Sequence, residues 1–572
     1  MKVLVATYPY AGHFNPTQPV VAELVRRGHN VVWMTGPAYE ARVRQTGARF
    51  VAMSPEALID DDNIHKMDGK VTLAKVADYL RRLFLDRIPA QVRDYDNVAS
   101  TLEDDFTPDV LVVEFCTYAA RCYMDRTGTP YATLGINPLV TLDPEIPPWG
   151  SGEQPPRSMT GRLRNRVRHT LGIVFFISRL SRELNKQRRV LGLPPCSRWR
   201  SYADDVRSPD LHMMMTTPAF EFPRKKMLRS VIFIGPLLPS WLEGDATKKD
   251  FVVEGSAEGA SSSKPDTKAD TDAHNVTPED TGTKTDTAPT VESTPNINAR
   301  PPWWDEMLAH PRQKVVHLTQ GTISINTDLL VKPTVEALAD RDDLLVIITG
   351  KNVEAMFRDE SAGNYAATTG GAPADVIATE GATTMTDTAN ADAVVVVEDT
   401  RMKRPANVRT AAFVPHLRLL PYVGVMVTNA GYNGVLAALS CGVPLVCAGR
   451  SEDKADVSSR VAWSGAGIDL ATSAPTAAAV RAAVLRIVDG GSDGDPLHPP
   501  GHDYRASAAR IRDDFARHNA PVEAVDALEA LVKRKTEERE NEGRWKAATA
   551  EDSPLRRKKL QPKPVRDSVV EE

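Results

Sequence analysis

Short runs of Val, Leu and Ile alternate with amphipathic helical stretches in two separate parts of the chain, about 1–240 and 300–530. This alternation is typical of βαβ units, which build a parallel sheet covered by helices. The first part predicts a helix from about Pro16 to Arg27, ended by Gly28 as a left-handed cap. The predicted strands are Lys2–Ala6, Asn30–Met34, Asp109–Val113, Val315–Thr319, Leu344–Ile348, Val425–Thr428 and Leu445–Cys447. We therefore predict an α/β fold with two Rossmann-like domains.

Three segments differ in composition from these two parts. Residues 254–298, inside a predicted linker of 241–300, contain no Leu and no aromatic residue. Such a segment cannot bury enough apolar surface to offset the entropy cost of ordering, so we predict that it is disordered. The Ala/Thr/Gly-rich stretch 359–390 predicts a loop insertion in the second domain, 301–530. The charged tail 531–572 is predicted to be solvated and disordered.

Charge and cysteine content exclude several classes of protein. The 572 residues include 70 Lys and Arg against 75 Asp and Glu, a net charge of −5, which gives no electrostatic reason for nucleic acid as a partner. Five scattered cysteines without a C-x-x-C pair argue against a disulfide scaffold and a structural zinc site. No apolar run approaches the ~20 residues of a membrane span. We expect a cytoplasmic protein, with peripheral membrane contact left open.

Two residues at strand ends of the first part are candidates for catalysis. Ligands of open α/β sheets bind beyond the carboxyl ends of the strands. His13 follows the first strand there, and its imidazole is suited to take a proton from a hydroxyl; a His that caps the turn is the alternative. Glu114 closes the strand Asp109–Val113 and is placed to orient that imidazole; a solvent-facing or capping acid is the alternative. Only Gly12 is present in the loop, so the dinucleotide fingerprint is absent.

The second part offers groups that suit a nucleotide sugar. Thr322 follows a strand in a glycine-containing turn and adds a hydroxyl donor. A helix is predicted to start near Gly431, and its free N–H groups and dipole suit a phosphate. Asp453 and Lys454 place an acid and an amine side by side, which suits the vicinal hydroxyls of a sugar; a solvated charged loop is the alternative. No cluster with metal-ligand spacing supports a metal site.

Several separated motifs, in the right order, resemble the family 1 UDP-glycosyltransferases. They are Gly12-His13-x-x-Pro16, Phe413-Val-Pro-His416, Thr428-Asn-Ala-Gly-Tyr-Asn-Gly434, Gly442-Val-Pro444 and Glu452-Asp-Lys454. The similarity spans both folded parts and is greatest to the bacterial and fungal branch that glycosylates small lipophilic molecules. It implies a GT-B architecture, in which two Rossmann-like domains with parallel sheets face a central cleft. The acceptor is then expected on the first domain and the UDP-sugar on the second.

The resemblance also implies a role for each candidate residue. His13 is the general base, and Glu114 stands where relatives carry the Asp that orients it. The implied nucleotide-sugar contacts are Thr322, Phe413 on the uracil, His416 at a base-contacting position, Asn429, Gly431, Asn433, Gly434, Asp453 and Lys454. Asn429 departs from the family, because most relatives place a His on the diphosphate and an amide cannot become cationic.

The expected activity is inverting transfer of a hexose, with glucose as the default, from a UDP-sugar to a hydroxyl of a small lipophilic acceptor. Neither a metal nor a cofactor is expected. The alternatives are another GT-B nucleotide-sugar enzyme, such as an epimerase, and a non-catalytic GT-B partner protein. Acceptor loops are expected within 55–95 and 135–185. There, the apolar stretch Gly172–Ile177 predicts a wall of the acceptor pocket or, as the favoured alternative, an ordinary buried helix.

Overall fold

A computed structural model of the chain describes residues 1–59, 73–238, 300–321, 326–358, 401–490, 498 and 501–551. The predicted linker 241–300 lies outside these residues except for Arg300, and the predicted insertion 359–390 lies outside them entirely. The described residues other than Arg300 belong to one compact unit, Met1–Ser240 together with Pro301–Glu572. The domain boundaries inferred from the sequence stay predictions.

Two parallel sheets form the frame of this unit. The strands are β1 (Lys2–Ala6), β2 (Asn30–Thr35), β3 (Arg49–Ala52), β4 (Val110–Glu114), β5 (Tyr131–Gly135), β6 (Leu211–Met214), β7 (Val231–Phe233), β8 (Val315–Thr319), β9 (Leu345–Thr349), β10 (Val408–Ala411), β11 (Val425–Thr428), β12 (Leu445–Cys447) and β13 (Gly467–Asp469). The first sheet has seven strands in the order β3-β2-β1-β4-β5-β6-β7, and the second has six in the order β10-β9-β8-β11-β12-β13. The predicted fold class is confirmed.

Helices connect and cover the strands. They are α1 (Ala11–Arg26), α2 (Glu40–Gln45), α3 (Leu73–Leu80), α4 (Ile88–Asp96), α5 (Val98–Leu102), α6 (Tyr118–Thr127), α7 (Met159–Gly172), α8 (Ser178–Val190), α9 (Ser201–Asp204), α10 (Trp304–Ala309), α11 (Val331–Leu338), α12 (His416–Leu419), α13 (Tyr432–Ser440), α14 (Lys454–Ser464), α15 (Ala477–Asp489), α16 (Tyr504–Phe515) and α17 (Ala520–Glu551). Short 3₁₀ turns lie at Pro37–Tyr39, Pro218–Phe220, Arg312–Lys314, Glu354–Met356 and Leu420–Tyr422, and π-helical turns at Arg81–Leu85 and Ile173–Ile177.

Each sheet reverses its strand order once, between β1 and β4 in the first and between β8 and β11 in the second. In open α/β sheets, ligands bind at such a switch point, beyond the carboxyl ends of the strands. Ala6 pairs with Val113, and Thr319 pairs with Thr428. The residues that follow these strands therefore lie side by side, and the two switch points define where a site is expected.

Apolar side chains alternate between the two faces of each sheet, because successive side chains of a strand point to opposite sides. In β1, Val3 and Val5 belong to one buried cluster, whereas Leu4 belongs to another. The cluster of Val3 also contains Val315 of the second sheet. Fully burying one such side chain contributes about 1.5–3 kcal/mol, so this shared core holds the two sheets together.

Helix α1 begins at Ala11, earlier than the predicted start near Pro16. Pro16, near which the sequence predicted the start, lies inside the helix. Because proline has no N–H, the Gly12 carbonyl lacks its usual helical donor. It accepts instead from Asn433 Nδ2 at 3.0 Å. Because the helix begins at Ala11, His13 lies in its first turn rather than in a loop.

The prediction of a disordered tail was wrong for residues 531–551, because α17 continues to Glu551. Leu531 is buried. Lys535 pairs at 2.9 Å with Asp210, which belongs to the first half of the chain (residues 1–240). The Glu, Lys and Arg residues that indicated a solvated tail are also strong helix formers. The rest of the tail lies outside the described residues.

The stretch Gly172–Ile177 is not the buried helix that was favoured. Phe176 and Ile177 pack against the core, but Val174 and Phe175 are exposed. An apolar sequence therefore faces solvent here. Within the described ranges, no helix combines the length and the apolar composition required to cross a membrane.

Candidate active site

His13 and Glu114 meet at the switch point of the first sheet. His13 follows β1 in the first turn of α1, and Glu114 is the last residue of β4. His13 Nδ1 contacts Glu114 Oε2, and Glu114 Oε1 accepts the Tyr8 backbone N–H at 2.7 Å. The structure thus brings the two predicted catalytic residues together and holds the carboxylate in place. The Glu114 contact engages one ring nitrogen and leaves Nε2 for another partner.

The electrostatic surroundings make His13 a stronger base than a free imidazole. Burial lowers the pKa of His13, because the charged ring loses hydration. The charge and hydrogen bond of Glu114 outweigh this effect, and Asp453 acts in the same direction, so the pKa is raised above its ordinary value. The His13 side chain is 27% exposed, whereas Glu114 is fully buried. The ring therefore has both a fixed counter-ion and an open side.

Asp453 connects the second half of the chain (residues 301–530) to the pair of His13 and Glu114. It precedes α14 and acts electrostatically on His13, which belongs to the first half. Burial raises the pKa of Asp453 to about 7, while the nearby His13 acts in the opposite direction. Lys454 Nζ contacts the Glu452 carboxylate and donates to Ser451 Oγ at 3.2 Å. Of the two predicted sugar contacts, Asp453 therefore lies near the base, and Lys454 is held by its own loop.

Asn429 holds the turn after β8 at the second switch point. Its side chain is buried, and its Nδ2 donates to the Gln320 backbone carbonyl. Gly321 has a φ of 78°, and a Cβ there would lie 3.3 Å from Asn429 Oδ1, so this close approach favours glycine. The amide that replaces the usual His is thus engaged with the turn. The predicted hydroxyl donor Thr322 lies outside the described residues.

The N-terminus of α13 presents backbone donors next to that turn. Gly431 precedes the helix with φ −61° and ψ 132°. A Cβ at Gly431 would meet no atom within 4 Å, so space is open in front of the helix. The first N–H groups of a helix lack intrahelical partners, and its positive end attracts an anion. Gly434 lies one turn inside, where a Cβ would make only ordinary contact with Met426.

Asn433 joins this helix to the loop of the base. Its Nδ2 donates to the Gly12 carbonyl that Pro16 leaves without a helical donor. Its Oδ1 is buried and has no hydrogen-bond partner within the described part of the chain. The structure therefore places Asn433 between the two switch points, with an acceptor atom that remains available.

Phe413 and His416 lie at the start of α12, which packs against α13. Phe413 is 48% exposed, so its ring face is open for stacking. The His416 ring packs edge-on against His317, with 5.4 Å between the ring centroids. Burial lowers the pKa of His416 to about 4, which keeps the ring neutral near pH 7. A neutral imidazole offers one donor and one acceptor, as recognition of a base requires.

The sequence did not reveal a second link between the halves. Asp456 of α14 accepts backbone N–H groups of the loop 150–152 at 2.7 and 3.1 Å. Arg460, one turn later, donates to the buried Glu221 carboxylate at 2.7 Å. These two residues and Asp453 lie on one face of a helix, since residues three and four apart are neighbours there. The spacing of Asp453, Asp456 and Arg460 along the helix was the sequence feature from which this contact could have been predicted.

The predicted absence of a metal remains a prediction. Across the described ranges, no three His, Cys, Asp or Glu side chains form a group that could hold a metal ion. The five cysteines are free thiols.

A base–carboxylate pair at one switch point and an anion-suited helix end at the other are the arrangement that the resemblance to GT-B glycosyltransferases predicts. The family model described as "Erythromycin biosynthesis protein CIII-like, C-terminal domain" matches residues 382–531. The chain is 31% identical over 535 residues to a 4'-demethylrebeccamycin synthase of Lentzea aerocolonigenes, covering 93% of this chain and 99% of the relative. It is 26% identical over 549 residues to UDP-glycosyltransferase 2 of Phaeomoniella chlamydospora, covering 93% and 94%.

The chain belongs to the family 1 UDP-glycosyltransferases, as its motifs predict, and is an enzyme of that class. Solved structures agree with the fold. The crystal structure of the glycotransferase of kitacinnamycin superposes with a TM-score of 0.55 at 18% identity, covering 92% of this chain and 98% of that one. At this level of identity the superposition supports the GT-B fold alone.

Proposed function

We propose that the protein transfers a hexose, with glucose as the first candidate, from a UDP-sugar to a hydroxyl of a small lipophilic acceptor, with inversion. The observation that carries the proposal is the His13–Glu114 pair within electrostatic reach of Asp453. It puts a strengthened base where the predicted acceptor half and the predicted donor half meet. In the cell, we place this reaction in the cytoplasm, which the scattered cysteines favour.

In the proposed mechanism, His13 Nε2 takes the proton of the acceptor hydroxyl while the oxygen attacks the anomeric carbon. The bond from that carbon to the diphosphate oxygen breaks, and its electron pair leaves with UDP. Attack from the face opposite the leaving group inverts the configuration. Glu114 fixes the ring through Nδ1 and stabilises the imidazolium that forms. The N-terminus of α13 at Gly431 stabilises the charge that develops on the diphosphate.

Aromatic rings that pack beside His13 make its surroundings apolar, which supports a lipophilic acceptor. The rings of Tyr8 and Tyr10 lie 6.0 and 5.9 Å from the His13 ring, centroid to centroid. Tyr8 packs with Leu83 and Phe84 in a separate apolar cluster. Apolar walls with a few placed polar groups are typical of small-molecule sites. The names of the relatives, a 4'-demethylrebeccamycin synthase and a UDP-glycosyltransferase, support a small acceptor and a UDP-sugar donor for this chain.

The test is a transfer assay with the purified full chain, several UDP-hexoses and a library of lipophilic alcohols and phenols. Mass spectrometry detects products that have gained one hexose, and proton NMR reads the configuration at the anomeric carbon. We expect a β-linked product from α-linked UDP-glucose, with turnover that a chelator does not reduce. An α-linked product contradicts inversion, and loss of turnover with chelator contradicts metal independence.

Two other outcomes would replace the proposal. Conversion of the UDP-sugar without any acceptor indicates an epimerase-like enzyme. UDP binding without turnover over the whole library indicates a non-catalytic partner protein.

A further inference from the structure

Helix α7 and the π-helical turn after it carry apolar side chains on their outer surface. Met159, Leu163, Val167 and Phe175 are 77%, 63%, 50% and 68% exposed. Their spacing in multiples of four places them along one side of the helix. The exposed stripe consists of Met159, Leu163, Val167, Leu171, Val174 and Phe175.

The inner face of the same helix is polar. Asn165 and His169 are buried, and His169 Nε2 contacts the Ile146 carbonyl at 2.9 Å. A surface helix normally turns its apolar side to the core and its polar side to water. Here the orientation is reversed, so packing among the residues that the structure describes does not account for the stripe. Single exposed apolar residues are ordinary, but a contiguous group of this kind marks an interaction surface.

Arginines border the exposed stripe on both sides. At about 100° per residue, Arg162 and Arg166 fall along one edge, and Arg164 and Arg168 along the other. The sequence from Arg157 to Arg182 contains no acidic residue. An apolar stripe between rows of arginine is typical of a helix that lies in a membrane interface, with its guanidinium groups at the headgroups.

Acidic residues outside the helix compensate only part of this charge. Glu153 contacts Arg164 and Arg168, and Glu145 contacts Arg162 at 3.8 Å. The three arginine side chains are still 40–61% exposed. Exposed pairs of this kind are weak and exchange readily for other anions. The charge therefore favours an anionic surface over a second copy of this chain, whose matching helix would carry the same positive charge.

We propose that the exposed stripe docks the protein onto an anionic lipid bilayer without crossing it. The apolar side chains enter the boundary between headgroups and acyl chains, and the bordering arginines pair with lipid phosphates. The loop before α7 is tied to the start of α14, because Asp456 accepts the backbone N–H groups of Gly150 and Gly152 at 2.7 and 3.1 Å.

The test is flotation of the full chain with vesicles. Phosphatidylcholine vesicles are compared with vesicles containing about a third phosphatidylserine, whose surface potential attracts basic segments. We expect the protein to float with the anionic vesicles and not with phosphatidylcholine alone. Binding weakens as salt is raised, because salt screens the arginines.

Two sets of variants locate the surface. Leu163→Gln, Val167→Gln and Phe175→Gln combined are expected to weaken vesicle binding at least ~10-fold, since the buried apolar area is lost. Arg164→Gln with Arg166→Gln, one from each edge, is expected to weaken it about five-fold per arginine. The matched control is Leu308→Gln with Met227→Gln, two exposed apolar residues elsewhere, and it leaves binding unchanged. Thermal unfolding of each variant verifies that it is folded.

Three results overturn the proposal. They are absence of flotation for the unmodified chain, equal loss in the control variant, and a dimer that depends on the exposed stripe in sedimentation without vesicle binding. The last result assigns the stripe to a second copy of the chain. Flotation needs neither UDP-sugar nor acceptor, so its failure is distinct from failure of the transfer assay.

Discussion

The two switch points of this molecule have the same topology but hold different kinds of group. In the first sheet, an ionisable pair, His13 and Glu114, occupies the crevice, with the carboxylate fully buried. In the second sheet, backbone groups at Gly321 and Gly431 occupy it, next to a neutral amide. A base must change its charge during each turnover and needs a counter-ion. Fixed, neutral N–H donors suit a diphosphate, whose contacts with the protein need no change of protonation during the turnover. We infer that the first half supplies the proton transfer and that the second binds the donor and stabilises its leaving group.

The largest expected effect is the loss of the base. His13→Ala is expected to lower kcat by about 10²–10⁴-fold, the usual contribution of a general base. The Kd of UDP is expected to stay unchanged, because the groups proposed to bind the donor lie at the other switch point. Steady-state kinetics and calorimetric UDP titration measure the two quantities. A comparable loss of UDP affinity would remove the distinction between the halves.

Glu114→Gln is expected to lower kcat by about 10²-fold and to move the pH profile. Below the raised pKa of His13 the base is protonated and inactive, so kcat/KM rises with pH through that pKa. Without the carboxylate, burial dominates and lowers the pKa of His13. The acidic limb of kcat/KM therefore moves to lower pH. Glu114→Asp, which keeps the charge, serves as the control, and a limb that stays in place in Glu114→Gln contradicts the pairing.

Gly431→Val tests the second switch point. The backbone there suits any residue, so the substitution fills the open space before α13 without strain. We expect the Kd of UDP to rise about 10-fold, since hydrogen bonds to a charged group are lost. At saturating donor, kcat is also expected to fall, since the same N–H groups stabilise the charge that develops on the leaving diphosphate. Gly431→Ala gives a graded control, and an unchanged Kd of UDP in Gly431→Val would contradict the placement of the diphosphate at α13.

The smallest effect is expected at Asn433, which belongs to both halves. Asn433→Ala removes the hydrogen bond to the Gly12 carbonyl, a net loss of about 0.5–1.5 kcal/mol. Because the residue is also predicted to contact the donor, both kcat and the donor KM are expected to change, each by about 2–10-fold. A change in KM alone would restrict Asn433 to donor binding.

The sequence was sufficient to predict the fold class and the contact between His13 and Glu114. Carboxyl ends of neighbouring parallel strands lie at one edge of a sheet, so residues at two such ends are expected to be close. Contacts between the halves were not predictable in this way. The Asn433 bond to Gly12 depends on how two sheets pack and on a carbonyl freed by an internal proline, and no local pattern specifies either.

The spacing of apolar residues also does not determine whether the apolar face of a helix points to the core or to solvent. The four-residue spacing from Met159 to Phe175 predicts an apolar side, and such a side is ordinarily turned to the core. Only the structure shows Asn165 and His169 inside. Similarly, the charged composition of 531–551 fits both a solvated tail and a helix, and buried Leu531 decides for the helix.

The most direct test of the division between the two halves is a crystal structure of the full chain with bound UDP. We expect the diphosphate at the first N–H groups of α13, the uracil against Phe413, and the His13 ring facing the space beyond the terminal phosphate with its Glu114 contact intact. A nucleotide bound away from α13, or a His13 ring turned from it into solvent, would contradict the account.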